Sequence, residues 1–289
     1  MGVELSLWKA IVLGVVQGLT EFLPVSSSGH LAVAENVLGV QLPGLAFEVM
    51  VHLGTLAAVL AVYGRDLGAA VAGFLRTGGG LWAGGGGPAA GTAERGWAGL
   101  DPGTRLGWLV IVGTIPAAVA GFALESRIEA AFDSPGLVAV FWIFTGFLLW
   151  WAARRPEGGR PLERATLADA LAVGLFQALA LLPGVSRSGS TLVGGLVRGL
   201  RREEAARLSF LLSVPAIAGA AVLQLPDLLA AGTAGGGVAL LAGALAAAVT
   251  GYAAIRWLWR WLVTGRLSWF AYYLWTVAIL LLFFQGWRG

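Results

Sequence analysis

An apolar segment interrupted by Pro, Ser and Gly occurs twice in this chain, and it constrains the fold more than any other feature. The first copy runs from Gly14 to His30 and reads GVVQGLTEFLPVSSSGH. The second runs from Gly174 to Ser190 and reads GLFQALALLPGVSRSGS. A shift of 160 positions superposes Gly14 on Gly174, Gln17 on Gln177, Ser26 on Ser186, Ser28 on Ser188 and Gly29 on Gly189. Each copy is an apolar helix, a break, and a shorter apolar piece. The two differ in their chemistry: Glu21 and His30 mark the first, Arg187 the second.

The surroundings are a membrane protein's. Hydrophobic residues make up 57% of the 289 positions and charged residues 12%, about half the share of a soluble chain. The small positive balance does not indicate nucleic acid, because the Arg residues sit in short loops between apolar stretches. With no Cys, disulfides and thiolate metal sites are excluded. Residues 5–23 lack a charged leader and a cleavage motif, so they read as part of the working protein. A helix needs roughly 20 apolar residues to cross a bilayer. Stretches of about 45–63, 106–124, 135–153, 205–224 and 237–255 qualify, and a sixth covers about 268–287.

The duplicated segments do not read as simple spans. They offer helices over about 5–23 and 167–183 and shorter pieces over about 29–40 and 189–199. Broken helices at membrane depth survive only inside protein or beside a wet cavity. Paired interruptions in two halves predict an inverted repeat with a site near the midplane. The expected fold is all-α: a single integral membrane domain, about six transmembrane helices and two re-entrant hairpins meeting at the membrane centre. The first repeat covers about 5–124 and the second about 165–287. Arg clusters at 65–105, 154–164, 198–207 and 256–266 mark these loops as cytoplasmic. The first hairpin then enters from outside and the second from inside. Full spanning by both repeats is the alternative; it would put one Arg-rich loop outside. Thr166 and Asp169 have capping-box spacing, and Ser134-Pro135 reads as a helix start. Trp269, Tyr272, Tyr273 and other aromatics near span ends read as an interfacial belt. The Gly-rich loop 77–104 is expected to be mobile and cytoplasmic.

Ionisable groups within a bilayer are functional candidates by default. Gln17 and Glu21 share a helix face and could ligate a hard divalent cation; Glu21 could equally serve as a base or as a structural contact. Ser26, Ser27, Ser28 and Gly29 precede the returning helix, with Ser28 as its expected N-cap, and such an N-terminus binds phosphate. His30 follows as proton acceptor or nucleophile. Ser186, Arg187, Ser188, Gly189, Ser190 and Thr191 build the matching half, where the Arg fork suits phosphate. Glu48 and His52, four apart on the span 45–63, are read as supporting or structural residues.

Three motifs together carry a resemblance: Gln17-x-x-x-Glu21, Pro24-Val25-Ser26-Ser27-Ser28-Gly29-His30 and Pro183-Gly184-Val185-Ser186-Arg187-Ser188-Gly189. They resemble the bacterial undecaprenyl-diphosphate phosphatase (bacitracin-resistance) family, as do the segment Phe47 to Gly54, the length and the duplication. The resemblance implies hydrolysis of undecaprenyl diphosphate to the monophosphate and inorganic phosphate. That reaction recycles the lipid carrier of cell-wall synthesis and confers bacitracin resistance. The resemblance further implies Mg²⁺ or Ca²⁺ as cofactor, and a plasma-membrane site open to the outer, periplasmic face. Carried over by position, Glu21, Ser27, His30 and Arg187 are the catalytic set, with either Ser27 (activated by His30) or His30 as nucleophile. Gln17 stands where many members have Glu, which leaves its place beside the metal open. The partners are the polyprenyl diphosphate and the bilayer, with no nucleic acid; a homodimer is compatible with the sequence. A transporter or flippase for a lipid phosphate or other anion is the competing reading, because carriers share the inverted layout. An anion channel is weaker, for want of a continuous polar helix face.

Overall fold

The computed structural model describes residues 5–40, 46–76, 97–132, 135–155, 158–226 and 237–288. Within them the chain forms ten α-helices and no strands: α1 Leu7–Phe22, α2 Ser27–Leu38, α3 Ala46–Arg76, α4 Pro102–Phe132, α5 Pro135–Ala153, α6 Leu167–Leu179, α7 Arg187–Val197, α8 Arg202–Leu223, α9 Gly237–Val263 and α10 Ser268–Arg288. Helices α3, α4, α5, α8 and α9 are long and apolar enough to cross a membrane, and they fall on the five stretches read from the sequence. The chain is an all-α, multi-pass membrane protein. Helix α10 occupies the expected sixth stretch. Most of the Gly-rich loop (77–96), Asp133, Ser134 and the connection 227–236 lie outside the described residues.

Several helices outrun the apolar stretches that predict them. Helix α3 continues past residue 63 to Arg76, and α4 begins at Pro102, ahead of residue 106. Hydropathy marks only the lipid-contacting part of a helix. The extra turns pack on one another, with the backbones of Ala69 and Thr104 hard against Gly103 and Gly73. Polar contacts hold them too. Arg207 on α8 pairs with both carboxylate oxygens of Asp66 at 2.8 and 2.9 Å. Arg105 donates to the Glu163 carbonyl, and Trp97 Nε1 to the Ala165 carbonyl at 2.9 Å. These contacts gather the Arg-rich ends of α3, α4, α6 and α8 on one face. Asp101 caps α4 there: it accepts from Gly103 N at 3.1 Å and from the Thr104 amide and hydroxyl.

The four remaining helices are short. Helices α1 and α6 have 16 and 13 residues. At about 1.5 Å per residue they reach about 24 and 20 Å, less than the roughly 30 Å hydrocarbon core. The capping box expected at Thr166 forms: Thr166 Oγ1 accepts from Asp169 N at 3.3 Å and Asp169 Oδ2 from Thr166 N at 2.9 Å. Pro135 opens α5 as read.

Packing crosses between the halves in a reciprocal way. Helix α1 lies on α9 of the second half, and α6 on α4 of the first. A methyl group added at Gly14 would meet the Gly243 backbone, and one at Gly18 would meet Ala247 and Thr250. Small residues are what permit so close an approach in a bilayer. The register gives direction. Positions 14 and 18 meet 243 and 247 in order, so α1 runs parallel to α9. Gly54 meets Ala244 and Ala58 meets Gly251, so α3 runs the same way. Gly113 meets Ala170 while Pro116 meets Gly174, so α6 runs parallel to α4, which is antiparallel to α3. Helices α1 and α6 therefore run in opposite directions, as an inverted duplication requires.

Candidate active site

The breaks after α1 and α6 come together. Helix α1 stops because Leu23 precedes Pro24 and is forced extended, at φ −70° and ψ 144°. Ser26 then takes φ 68°, making it the one non-glycine residue with positive φ among those described. Strain of that kind concentrates at functional sites. Ser26 is the N-cap of α2, in place of the expected Ser28, which falls inside the first turn. The reason is the tight turn: His30 N donates to Ser26 O at 3.3 Å and so starts the helix one residue after Ser26. In the second copy Ser186 caps α7, accepting from Gly189 N at 3.1 Å. Thr145 on α5 holds that tip through its hydroxyl, which accepts from Ser186 N at 3.2 Å. Ser188 Oγ donates to Leu23 O at 2.8 Å, tying one break to the other.

Glu21 is the hub. Its carboxylate is 6% exposed and collects donors from both halves. Arg187 Nη2 donates to Oε1 at 3.1 Å; Ser27 Oγ and Gln17 Nε2 donate to Oε2 at 2.6 and 3.0 Å. His52 Nε2 lies 3.9 Å from the same oxygen, with its Nδ1 on the Glu48 carbonyl at 2.7 Å. The other arm of Arg187, Nη1, is anchored on Ser209 O at 3.2 Å. A serine hydroxyl bound to a buried carboxylate has a proton acceptor in place. The guanidinium beside it offers positive charge. The arrangement suits transfer of an anionic group.

The predicted residues divide into groups. Gln17, Glu21, Ser27 and Arg187 meet directly, with His52 at the edge. Ser26 and Ser28 lie 3.4 Å apart through their hydroxyls, and Ser186 and Ser188 lie 3.2 Å apart. Thr191 is turned to α8, its hydroxyl 2.5 Å from Ser209 Oγ, so it braces α7 and does not reach the carboxylate. Ser190 is fully buried, and its hydroxyl has no hydrogen-bond partner among the described residues. Gly29 and Gly189 are contact points: added methyls would meet the Trp142 indole and Pro24 respectively. The Ser27 hydroxyl donates to Glu21 and not to His30. The ring nitrogens of His30 are taken by Ser26 O at 2.8 Å and Tyr273 Oη at 2.7 Å. Tyr273, Trp142, Thr145 and Ser209 were not legible as site residues. Tyr273 looks like one more aromatic at a span end, and it stands 243 positions from its partner.

Hard oxygen donors for a cation are present. Gln17 Oε1 is buried beside Glu21 and has no hydrogen-bond partner among the described residues. Among those residues no group of three or more His, Cys, Asp or Glu side chains forms a self-sufficient metal cage.

The comparisons with known proteins agree. The profile of the family described as Bacitracin resistance protein BacA matches residues 10–280. The chain is 44% identical over 279 residues to a protein of Rubrobacter xylanophilus named undecaprenyl-diphosphatase, covering 96% of this chain and 97% of the relative. Proteins of the same name from Methanobrevibacter smithii and Carboxydothermus hydrogenoformans are 44% identical over 275 residues and 38% over 282. Those alignments cover 94% and 96% of this chain and 95% and 97% of the relatives.

Proposed function

The chain belongs to the bacitracin resistance protein BacA family, and from that premise we propose that it hydrolyses undecaprenyl diphosphate to undecaprenyl phosphate and inorganic phosphate. The observation that carries the reading is the Ser27–Glu21–Arg187 contact between the two breaks. The relatives are named as diphosphatases, and a pure carrier has no use for a hydroxyl bonded to a buried carboxylate.

In the mechanism, Arg187 and the two Ser/Gly breaks hold the diphosphate. Ser27 Oγ attacks the terminal phosphorus, and its proton passes to Glu21. The P–O bond to the lipid monophosphate breaks, and that group leaves with the bonding electrons. Water then attacks the phosphoserine. His30 takes the water's proton, Glu21 returns its proton to Ser27, and phosphate departs. His30 finally releases its proton to solvent. Positioning and charge stabilisation dominate such transfers. Gln17 Oε1 and Glu21 fit a hard divalent ion, Mg²⁺ or Ca²⁺; when bound, it neutralises phosphate oxygens as charge moves to the leaving group. The site works from a plasma membrane and opens to its outer face, opposite the Arg-rich face, which the positive-inside rule makes cytoplasmic. The hairpins α1–α2 and α6–α7 re-enter from opposite sides. A homodimer is compatible with this reading.

The test is phosphate release from a polyprenyl diphosphate by the purified, full-length protein in detergent, with Mg²⁺ or Ca²⁺ and then with chelator. Release should depend on metal and fall by about 10³-fold or more in Ser27→Ala and Arg187→Ala, in line with the loss of a transition-state Arg elsewhere. Near-normal turnover by either variant overturns the mechanism. No release from folded, monodisperse wild type overturns the function.

A further inference from the structure

We infer that Tyr273 is a positioning residue that acts through His30, and that Nε2 is the His30 nitrogen that takes up the proton. The inference rests on the phosphatase reading and adds to it a residue from the last helix.

The proton positions follow from the partners. Ser26 O is a carbonyl and only accepts, so Nδ1 at 2.8 Å carries the hydrogen. In the neutral ring Nε2 then holds the lone pair, and Tyr273 Oη at 2.7 Å donates to it. The carbonyl that fixes Nδ1 belongs to the strained Ser26, at φ 68°. Backbone strain in the first half and a hydroxyl from the second half thus set one tautomer between them.

Ring contacts fix the plane as well. The Tyr273 ring lies nearly parallel to His30, at 12° with centroids 5.6 Å apart. Trp142 on α5 packs at 4.8 Å, and it is buried against Gly29, where an added methyl would strike the indole. Tyr272, one position earlier, packs on Trp275 instead, with centroids 5.9 Å apart. The chain therefore distinguishes the two tyrosines. Tyr273 is 44% exposed, so water can reach its hydroxyl beside Nε2. With Nδ1 protonated, Nε2 alone can take the water's proton; the Tyr273 hydroxyl holds that lone pair in one direction and turns aside for the attacking water when the proton moves.

The experiment uses full-length protein in detergent, labelled with ¹⁵N-histidine. The chain holds two His, so His52→Gln assigns the spectrum. Wild type should show His30 with Nδ1 protonated and Nε2 hydrogen-bonded. Tyr273→Phe should move the His30 Nε2 resonance and leave that of His52 in place. In the phosphate-release assay Tyr273→Phe should lower kcat by about tenfold, part of the 10²–10⁴-fold typical of general acid–base catalysis. Its KM should stay within about twofold, its pH–rate profile should be displaced, and its thermal midpoint should not change. Tyr272→Phe should behave as wild type in both. An unmoved Nε2 resonance, or a moved one with wild-type kcat and pH profile, overturns the inference. Full turnover by His30→Ala also overturns it; if wild type is inactive, the phosphatase reading fails instead, and the resonance still decides whether the hydrogen bond exists.

Discussion

Gln17 and Gln177 occupy equivalent positions of the duplication and both are buried, yet only Gln17 meets a carboxylate. Gln177 has no hydrogen-bond partner at either polar atom among the described residues, because Leu181 stands where the first copy has Glu21. Chemistry has thus been concentrated in one half, with Arg187 as the other half's contribution. Gln17 uses Nε2 on Glu21 and leaves Oε1 free. Gln17→Glu replaces that donor by a second negative oxygen about 3 Å from the first. In chelator it should lower stability by about 3 kcal/mol, the usual order for an uncompensated buried charge. With Mg²⁺ or Ca²⁺ the midpoint should recover, and the metal concentration for half-maximal turnover should fall by about tenfold, or ~1.4 kcal/mol. Thermal unfolding and a metal titration of phosphate release check both. At this scale the sequence was informative where motif residues touch one another. Gln17, Glu21 and Ser27 flank a single break within one short stretch, so local spacing suffices. Tyr273, Trp142 and Ser209 reach the site through tertiary packing, which leaves no local pattern. Ser28 was misplaced as N-cap because a positive φ at a serine is not written in its type.

The second hairpin is clamped at its base, and no such clamp joins the ends of the first among the described residues. Asp169, fully buried in the first turn of α6, accepts from Arg198 Nε at 2.7 Å and from Arg160 Nη2 at 3.0 Å. Arg160 N also donates to Gly199 O at 2.7 Å, and Arg201 N to Arg160 O at 3.0 Å, so the loop before α6 binds the end of α7. Helix α2 ends instead at Gly39 in the left-handed conformation. Asp169→Asn turns an amide NH₂ toward two cations. Breaking a buried pair costs about 3–5 kcal/mol, but both Arg side chains are about 40% exposed and can be resolvated. A loss of about 2 kcal/mol is expected. Thermal unfolding should show it, while turnover per folded molecule is kept. The cap of α4 gives a pH-dependent element on the same face. The Thr104 hydroxyl, then the Thr104 amide, Arg76 and the Gly103 amide hold the Asp101 carboxyl below its usual range. A depressed folded-state pKa means the cap is in force above the ordinary value of 3.8 and is lost as pH falls through the folded value. Hydrogen exchange at the Gly103 and Thr104 amides, corrected for intrinsic pH dependence, should lose protection in that acid window and nowhere above it.

At the scale of the molecule, hydropathy and arginine placement gave the spans and their common face, because both are one-dimensional consequences of the bilayer. The crossing of α1 onto α9 and of α6 onto α4 was not legible. It depends on which small-residue stripes face each other, and glycines are spread throughout the chain. What remains is whether the short helices return to the side they enter. Helices α1 and α6 run in opposite directions, and Glu21 meets Arg187 where their breaks touch. If both hairpins re-enter, Leu7 and Val37 face one side of the membrane and Gly158 and Arg201 the other. If both copies span, each pair is divided. The chain has no Cys, so single-Cys variants report without background. Leu7 and Val37 are 50% and 79% exposed, and Arg201 is 49% exposed. In intact cells, a membrane-impermeant maleimide should label Leu7→Cys and Val37→Cys. Gly158→Cys and Arg201→Cys should react only after the cells are opened. Division of either pair between the two conditions would refute re-entry. The converse assignment of both pairs would keep the hairpins and reverse the face on which diphosphate is cleaved.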